Sequence, residues 1–249
     1  MKRNYPINCL FTVLKTDNNE FSIHRLFESG IFIKTMLVVL CVLGNISFMK
    51  AQSSDSYLKH RITLSGALTS SDTWQLDAAY HRMLLPYLGV GTSVGLWRQY
   101  GTDGIPMGEG WVVREENEKI HQFYLRPSVY FVSPAIWRIS DARLHVFLEP
   151  GCMLSAPYDK LYVSLSGKRG QYMDYDKVST KEGRWYAFDC KLGFNLTFGD
   201  AVLSVGYVCS NLDIFTMRRH MTYRDISFND FYPEKKTLHG GFLSFSYCF

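Results

Sequence analysis

Four histidines, His81, His145, His220 and His239, are the first places to look for proton chemistry in this chain of 249 residues. A histidine base works on a serine, cysteine or carboxylate within hydrogen-bond reach. None of the four lies in a recognisable hydrolase pattern, so no catalytic residue is assigned. His81 and His145 read as satisfied interior side chains. Six cysteines occur, Cys9, Cys41, Cys152, Cys190, Cys209 and Cys248, and none falls in a CxxC or Cys/His spacing. That argues against a structural zinc site, and neither a metal nor a cofactor is expected. The last four cysteines stand singly in strand-like segments, where packing is the plain reading. In an oxidising compartment, disulfides between neighbouring strands stay open.

A second group of chemically able residues is Arg61, Asp77, Arg126, Glu149, Asp189 and Lys191. Each is a charge set among small or apolar neighbours, and the six sum to zero. Over the whole chain, 27 basic residues stand against 23 acidic ones, which leaves no broad basic footprint for nucleic acid.

Near the start, Lys34–Gln52 reads KTMLVVLCVLGNISFMKAQ. A basic flank, an apolar run from Met36 to Leu43 and a small residue, Ala51, before Gln52 make the layout of a secretory signal peptide. Asn45 and Lys50 interrupt it too early for a membrane-spanning helix, which needs about 20 apolar residues. Residues 1–51 are therefore read as an upstream extension plus a signal peptide with its core at about 34–51. Translation from Met36 is one explanation of the mixed first 35 residues, and a long leader is the other. Residues 52–249 form the expected mature domain.

From about residue 58 the chain alternates apolar and polar residues with period two, the mark of strands with two unlike faces. Eight segments follow, at 58–69, 73–83, 87–98, 121–132, 143–154, 185–197, 201–211 and 238–249. At about 11 residues each they suit a tilted bilayer crossing. The links 84–86, 133–142 and 198–200 are short. The links 99–120, 155–184 and 212–237 are long, and only 70–72 breaks the alternation. The expected fold is all-β: an eight-stranded antiparallel transmembrane β-barrel with short periplasmic turns and long extracellular loops.

Alternation does not say which face points inward, since a soluble lipocalin-like barrel alternates too. The apolar sets decide it. Leu88, Val90, Val94 and Leu96, then Leu144, Val146, Leu148 and Leu154, then Phe188, Leu192, Phe194 and Leu196 carry no charge. An Arg or Lys there would cost roughly 2–4 kcal/mol at a bilayer midplane. Opposite them stand Gly89, Gly91, Ser93, Gly95, Ser204 and Gly206 with the six charges. A solvated surface would be rich in long Lys and Glu, whereas a cramped lumen needs small residues beside paired charges. Aromatics are expected in two rims, with Trp74, Trp97, Tyr100, Trp185 and Tyr186 outside and Tyr87, Trp137, Phe198 and Phe249 inside.

The chain ends GGFLSFSYCF, with Leu243, Phe245, Tyr247 and Phe249 on one face. This resembles the C-terminal sorting signal of bacterial outer-membrane proteins. With the alternation and the leader, the mature region resembles the eight-stranded outer-membrane β-barrel (porin-like) family common in Bacteroidota. The resemblance implies that the barrel-assembly machinery reads this closing strand during insertion, and that outer-membrane lipid and lipopolysaccharide surround the wall.

An eight-stranded barrel has room only for its own side chains, so no open pore is expected. The leading functional reading is a structural or surface-binding role through loops 155–184 and 212–237. The first carries Tyr158, Tyr162, Tyr172 and Tyr175 among Lys160, Lys168, Arg169, Asp174, Asp176 and Lys177. The second carries Arg218, Arg219, His220 and Arg224, and both could meet an extracellular ligand. Two alternatives stand: a barrel enzyme modifying lipid or lipopolysaccharide, and a soluble exported lipocalin-like binder.

Overall fold

The computed structural model describes residues 58–101, 104–114, 119–166 and 172–249. The leader reading, Cys9 and Cys41 lie outside them. Eight strands close a cylinder: β1 (His60–Thr69), β2 (Thr73–Leu85), β3 (Leu88–Gln99), β4 (His121–Val132), β5 (Ala142–Leu154), β6 (Tyr186–Phe198), β7 (Ala201–Ser210) and β8 (Leu238–Cys248). Each pairs antiparallel with its chain neighbours, and β8 pairs with β1 from Arg61↔Cys248 to Thr69↔Gly240. The seam continues past the last ladder pair. Phe249 and His60 exchange both backbone hydrogen bonds, at 2.8 and 2.9 Å, and their rings stack at 5.3 Å. Closure satisfies every edge of the cylinder, which an open sheet could not do. No helix among the described residues is long and apolar enough to cross a membrane, which says nothing of strands.

Side chains alternate as the sequence does. Along β1, Arg61, Thr63, Ser65, Ala67 and Thr69 are buried while Ile62, Leu64 and Leu68 are exposed. On the other strands Leu76, Val94, Phe123, Phe188, Leu192, Phe194, Val205, Leu243, Phe245 and Tyr247 form the same exposed apolar wall. Leu148 shares that outward parity but is only 6% exposed, set in register between Phe131 and Leu192 on the flanking strands.

One rim expectation needs correction. Trp97 is not an exterior rim residue. It shares the odd parity of Ser93 and Gly95, points inward and is 1% exposed. Trp137 is exposed, as a rim aromatic should be, yet it belongs to a short extra strand, Trp137–Ile139, that pairs back onto the start of β5.

Glycines on the inner face make room for larger partners. Asp77, Gly95 and Tyr124 lie in one register row across β2, β3 and β4. A Cβ on Gly95 would stand 2.3 Å from the Tyr124 ring, whose hydroxyl reaches over β3 to donate to Asp77 Oδ2 at 3.4 Å. Overpacking a filled core typically costs about 1–3 kcal/mol. Gly95→Ala is therefore expected to lower the urea unfolding midpoint of the micellar protein more than Tyr124→Phe, which removes only one long hydrogen bond. Equal midpoints for the two would show that the row relaxes freely.

The three long links are where structure exceeds expectation. They fold together into a cap. Its sheet has the order Tyr172–Thr180, Asp159–Ser166, Trp111–Val113, Met107–Gly108, all antiparallel. Below it lie the helical turn Thr216–Arg219, the hairpin Thr222–Tyr223/Ile226–Ser227 and the 3-10 turn Phe228–Asp230. Trp111, Leu161, Val163, Val178, Ile214, Phe215, Met221 and Phe228 form one apolar cluster. Trp97, Tyr124, Met153, Ala187 and Leu238 from the barrel join it. The cap is thus packed onto the barrel mouth by a shared core.

Candidate functional site

The register places the six charged residues singled out by sequence around the middle of the lumen, each at most 8% exposed. Arg126 is their hub. Its Nε donates to Asp189 at 2.7 and 2.9 Å, its Nη1 to Glu149 Oε1 and its Nη2 to the Glu149 backbone oxygen at 3.0 Å. Gly151 faces the guanidinium, and a Cβ there would sit 2.6 Å from Nε. Lys191 Nζ donates to Asp77 at 2.9 and 3.2 Å and to Ser65 Oγ at 3.2 Å.

The pairing is uneven. Arg126 takes two carboxylates, Lys191 takes one, and Arg61 meets none among the described residues. Arg61 donates to Tyr130 Oη and to Ser246 Oγ at 2.8 Å, with its guanidinium 4.4 Å from the centre of the Tyr130 ring. The six charges are neutral as a set, so burial is tolerable only because the hydroxyls of Thr63, Tyr130, Ser204 and Ser246 surround the odd cation. A cavity of about 10 Å³ between Arg61, Asp77, Glu149 and Lys191 has room for about one water. Phe147 and Phe242 also line it. Above, the cap cluster covers the mouth. Among the described residues, this cavity between the lumen side chains is too small for a diffusing solute.

The histidines separate. His81 is 1% exposed; Ser128 Oγ at 2.9 Å and Glu149 Oε1 at 3.7 Å both approach its Nε2. A serine–histidine–carboxylate relay needs the serine and the acid on different ring nitrogens. Here they share one, and Nδ1 has no partner among the described residues. His145 is half-buried with Nδ1 2.9 Å from the Ser133 carbonyl oxygen. His239 stacks on Tyr207 outside the wall, and His220 is exposed in the cap. Nothing brings the four together.

One pattern lies outside the sequence reading: Gly91–Gly95 spells G-T-S-V-G, the letters of a nucleophile elbow. That motif acts only at a strand-to-helix turn. This copy lies within β3, with Ser93 1% exposed in the lumen and no hydrogen-bond partner for its Oγ among the described residues. It is an interior packing run.

The basic residues of 212–237 also separate. Arg218 is buried and donates through Nε to Asp159 at 2.9 Å, tying the helical turn to the cap sheet. Arg219 pairs with Asp213 and donates to the Pro233 carbonyl at 2.9 Å. These two arginines hold the cap together, while Arg224 and His220 stand exposed. Among the described residues no cluster of His, Cys, Asp and Glu suits a metal ion. Cys190 and Cys209 are register partners on the outer wall, and Cys152, Cys190, Cys209 and Cys248 carry free thiols.

No described protein family and no curated relative matches the chain. Solved structures do. A major outer membrane protein from Thermus thermophilus aligns over 77% of this chain and 99% of its own, at 10% identity and a TM-score of 0.43. The N-terminal β-barrel domain of Pseudomonas aeruginosa OprF aligns over 78% and 98%, at 8% identity and a TM-score of 0.38. The outer membrane enzyme PagL aligns over 75% and 98%, at 11% identity and a TM-score of 0.35. Likenesses at these identities and scores assign no role to any residue here.

Proposed function

We propose that the chain is an integral outer-membrane barrel that conducts nothing and acts at the cell surface through its cap. The observation that carries this reading is the inversion of a soluble protein's pattern. The outer wall is a continuous exposed apolar band, while the six charges, with their hydroxyl partners, are enclosed. In water that arrangement would expose apolar surface far beyond the few hundred Å² usual for a monomer. In hydrocarbon it is the low-energy arrangement. The short turns then face the periplasm, and the cap stands outside.

Lipid and lipopolysaccharide are the partners of the wall. The closing strand, with Leu243, Phe245, Tyr247 and Phe249 outward, is the segment the assembly machinery would read before it pairs with β1. A lipid-modifying enzyme gains no support from the geometry. Among the described residues the serine–histidine contact, Ser128 with His81, lies under the cap in a filled lumen. A lipocalin-like binder would need the opposite orientation of faces.

Fractionation with an unboiled gel tests the reading. The protein is expected in the outer-membrane fraction, running faster unboiled than boiled, and silent in a planar bilayer. A water-soluble, detergent-independent protein, or stepwise conductance from the purified barrel, would overturn it.

A further inference from the structure

The cap sheet sorts its charges by face. Its inner side carries Leu161, Val163, Leu165 and Val178 onto the cap core. It also carries the acids that meet partners below, Asp159 on Arg218 and Asp176 on the Tyr223 hydroxyl at 3.3 Å. Residues of the opposite parity face away from that core: Lys160, Tyr162 and Ser164 on one strand, Tyr175, Lys177 and Ser179 on its neighbour. Tyr175 is 63% exposed, and Lys160, Lys177 and Ser179 are exposed beside it. Tyr162 and Tyr175 meet edge-on at 5.9 Å, as side chains on one face do. Lys177 is in register with Tyr162.

One outward row across the sheet therefore reads Tyr162, Lys177, and the next reads Lys160, Ser179. Lys160 and Lys177 rise from neighbouring strands, about 4.8 Å apart. Among the described residues of these paired strands, this face holds no acid.

From this segregation we infer that the outward face of the cap sheet binds an acidic polysaccharide, a chain bearing sulfate or carboxylate groups. The inference rests on the surface-binding reading above and names its ligand class. Cations spaced across a flat sheet can pair with successive acidic groups along an extended chain. The tyrosine rings offer platforms for the apolar faces of sugar rings, and the hydroxyls of Ser164 and Ser179 offer hydrogen bonds. A folded protein partner would favour an apolar hot spot in a pocket; the apolar side chains of this face, Val112 and Met107, lie on its far strands, away from Tyr175 and Lys177.

The test titrates the full barrel in detergent micelles with three probes: dextran sulfate, uncharged dextran and polyglutamate. Dextran sulfate is expected to bind, with affinity falling steeply as salt rises. The Lys160→Ala/Lys177→Ala double variant and Tyr175→Ala should each weaken it by about tenfold or more, and Lys177→Arg should keep it. Equal binding of dextran sulfate and polyglutamate, no effect of Tyr175→Ala, or no loss in the lysine double variant would overturn the inference. The boiled-versus-unboiled gel shift of every variant is read alongside. A barrel that shifts but does not bind refutes this ligand class and leaves the membrane reading intact, whereas loss of the shift in the unaltered protein refutes the reading beneath it.

Discussion

Replacing Arg126 by methionine is expected to cost the barrel about 3–5 kcal/mol, because it strands two enclosed carboxylates at once. Asp189 and Glu149 lose their common guanidinium, and among the described residues no other arginine or lysine is hydrogen-bonded to either. At a urea dependence of about 2 kcal/mol per molar, the unfolding midpoint in micelles should fall by about 2 M. Adding Asp189→Asn and Glu149→Gln removes the stranded charge and should restore most of the loss. Arg61→Met makes the control. Arg61 holds hydroxyls and a ring instead of carboxylates, so its removal should cost less, about 1–3 kcal/mol. If Arg126→Met unfolds where the unaltered protein does, bulk water reaches Asp189 and Glu149 and the lumen is not closed to solvent.

The second large effect belongs to the cap. Phe228 is fully buried, stacked on Trp111 at 5.9 Å and edge-on to Phe231 at 6.5 Å. Truncation of a buried phenylalanine costs about 3–5 kcal/mol through lost transfer energy and the cavity left behind. Phe228→Ala should open the cap locally without opening the barrel, since the ladders of β1 to β8 do not pass through it. Limited proteolysis within 212–237 is expected to accelerate by about a hundredfold or more when opening precedes cleavage. The boiled-versus-unboiled gel shift should stay unchanged. A barrel that loses its compact band in this variant would show that cap and cylinder unfold as one unit.

Strand existence is legible in the sequence because lipid and lumen demand opposite chemistry at alternate positions. Gly89, Gly91, Ser93 and Gly95 against Leu88, Val90, Val94 and Leu96 leave little ambiguity. The lumen charges are legible for the same reason, as isolated ions on the small-residue face. Their partners are not, because Arg126 meets Glu149 and Asp189 only through the register of β4, β5 and β6, which no local pattern encodes. Trp97 goes to the wrong side when its distance from the strand end is read instead of its parity, which already puts it with Ser93 and Gly95. The cap stays hidden although Leu161, Val163 and Leu165 alternate as plainly as any barrel strand. Those alternations are short and interrupted by charges, and the cap's core is assembled from three separate links, so no single stretch announces it. Arg218 and Arg219 likewise read as surface cations until Asp159 and Asp213 come to meet them.

The two apolar assemblies answer to different solvents. The wall's outer side chains are matched to hydrocarbon and gain nothing from expelling water, whereas the cluster around Trp111 and Phe228 is held by that expulsion. Cooling weakens the second kind of cohesion and carries a heat-capacity change with it. The molecule should therefore loosen from the top down in the cold, its cylinder intact while its lid grows soft.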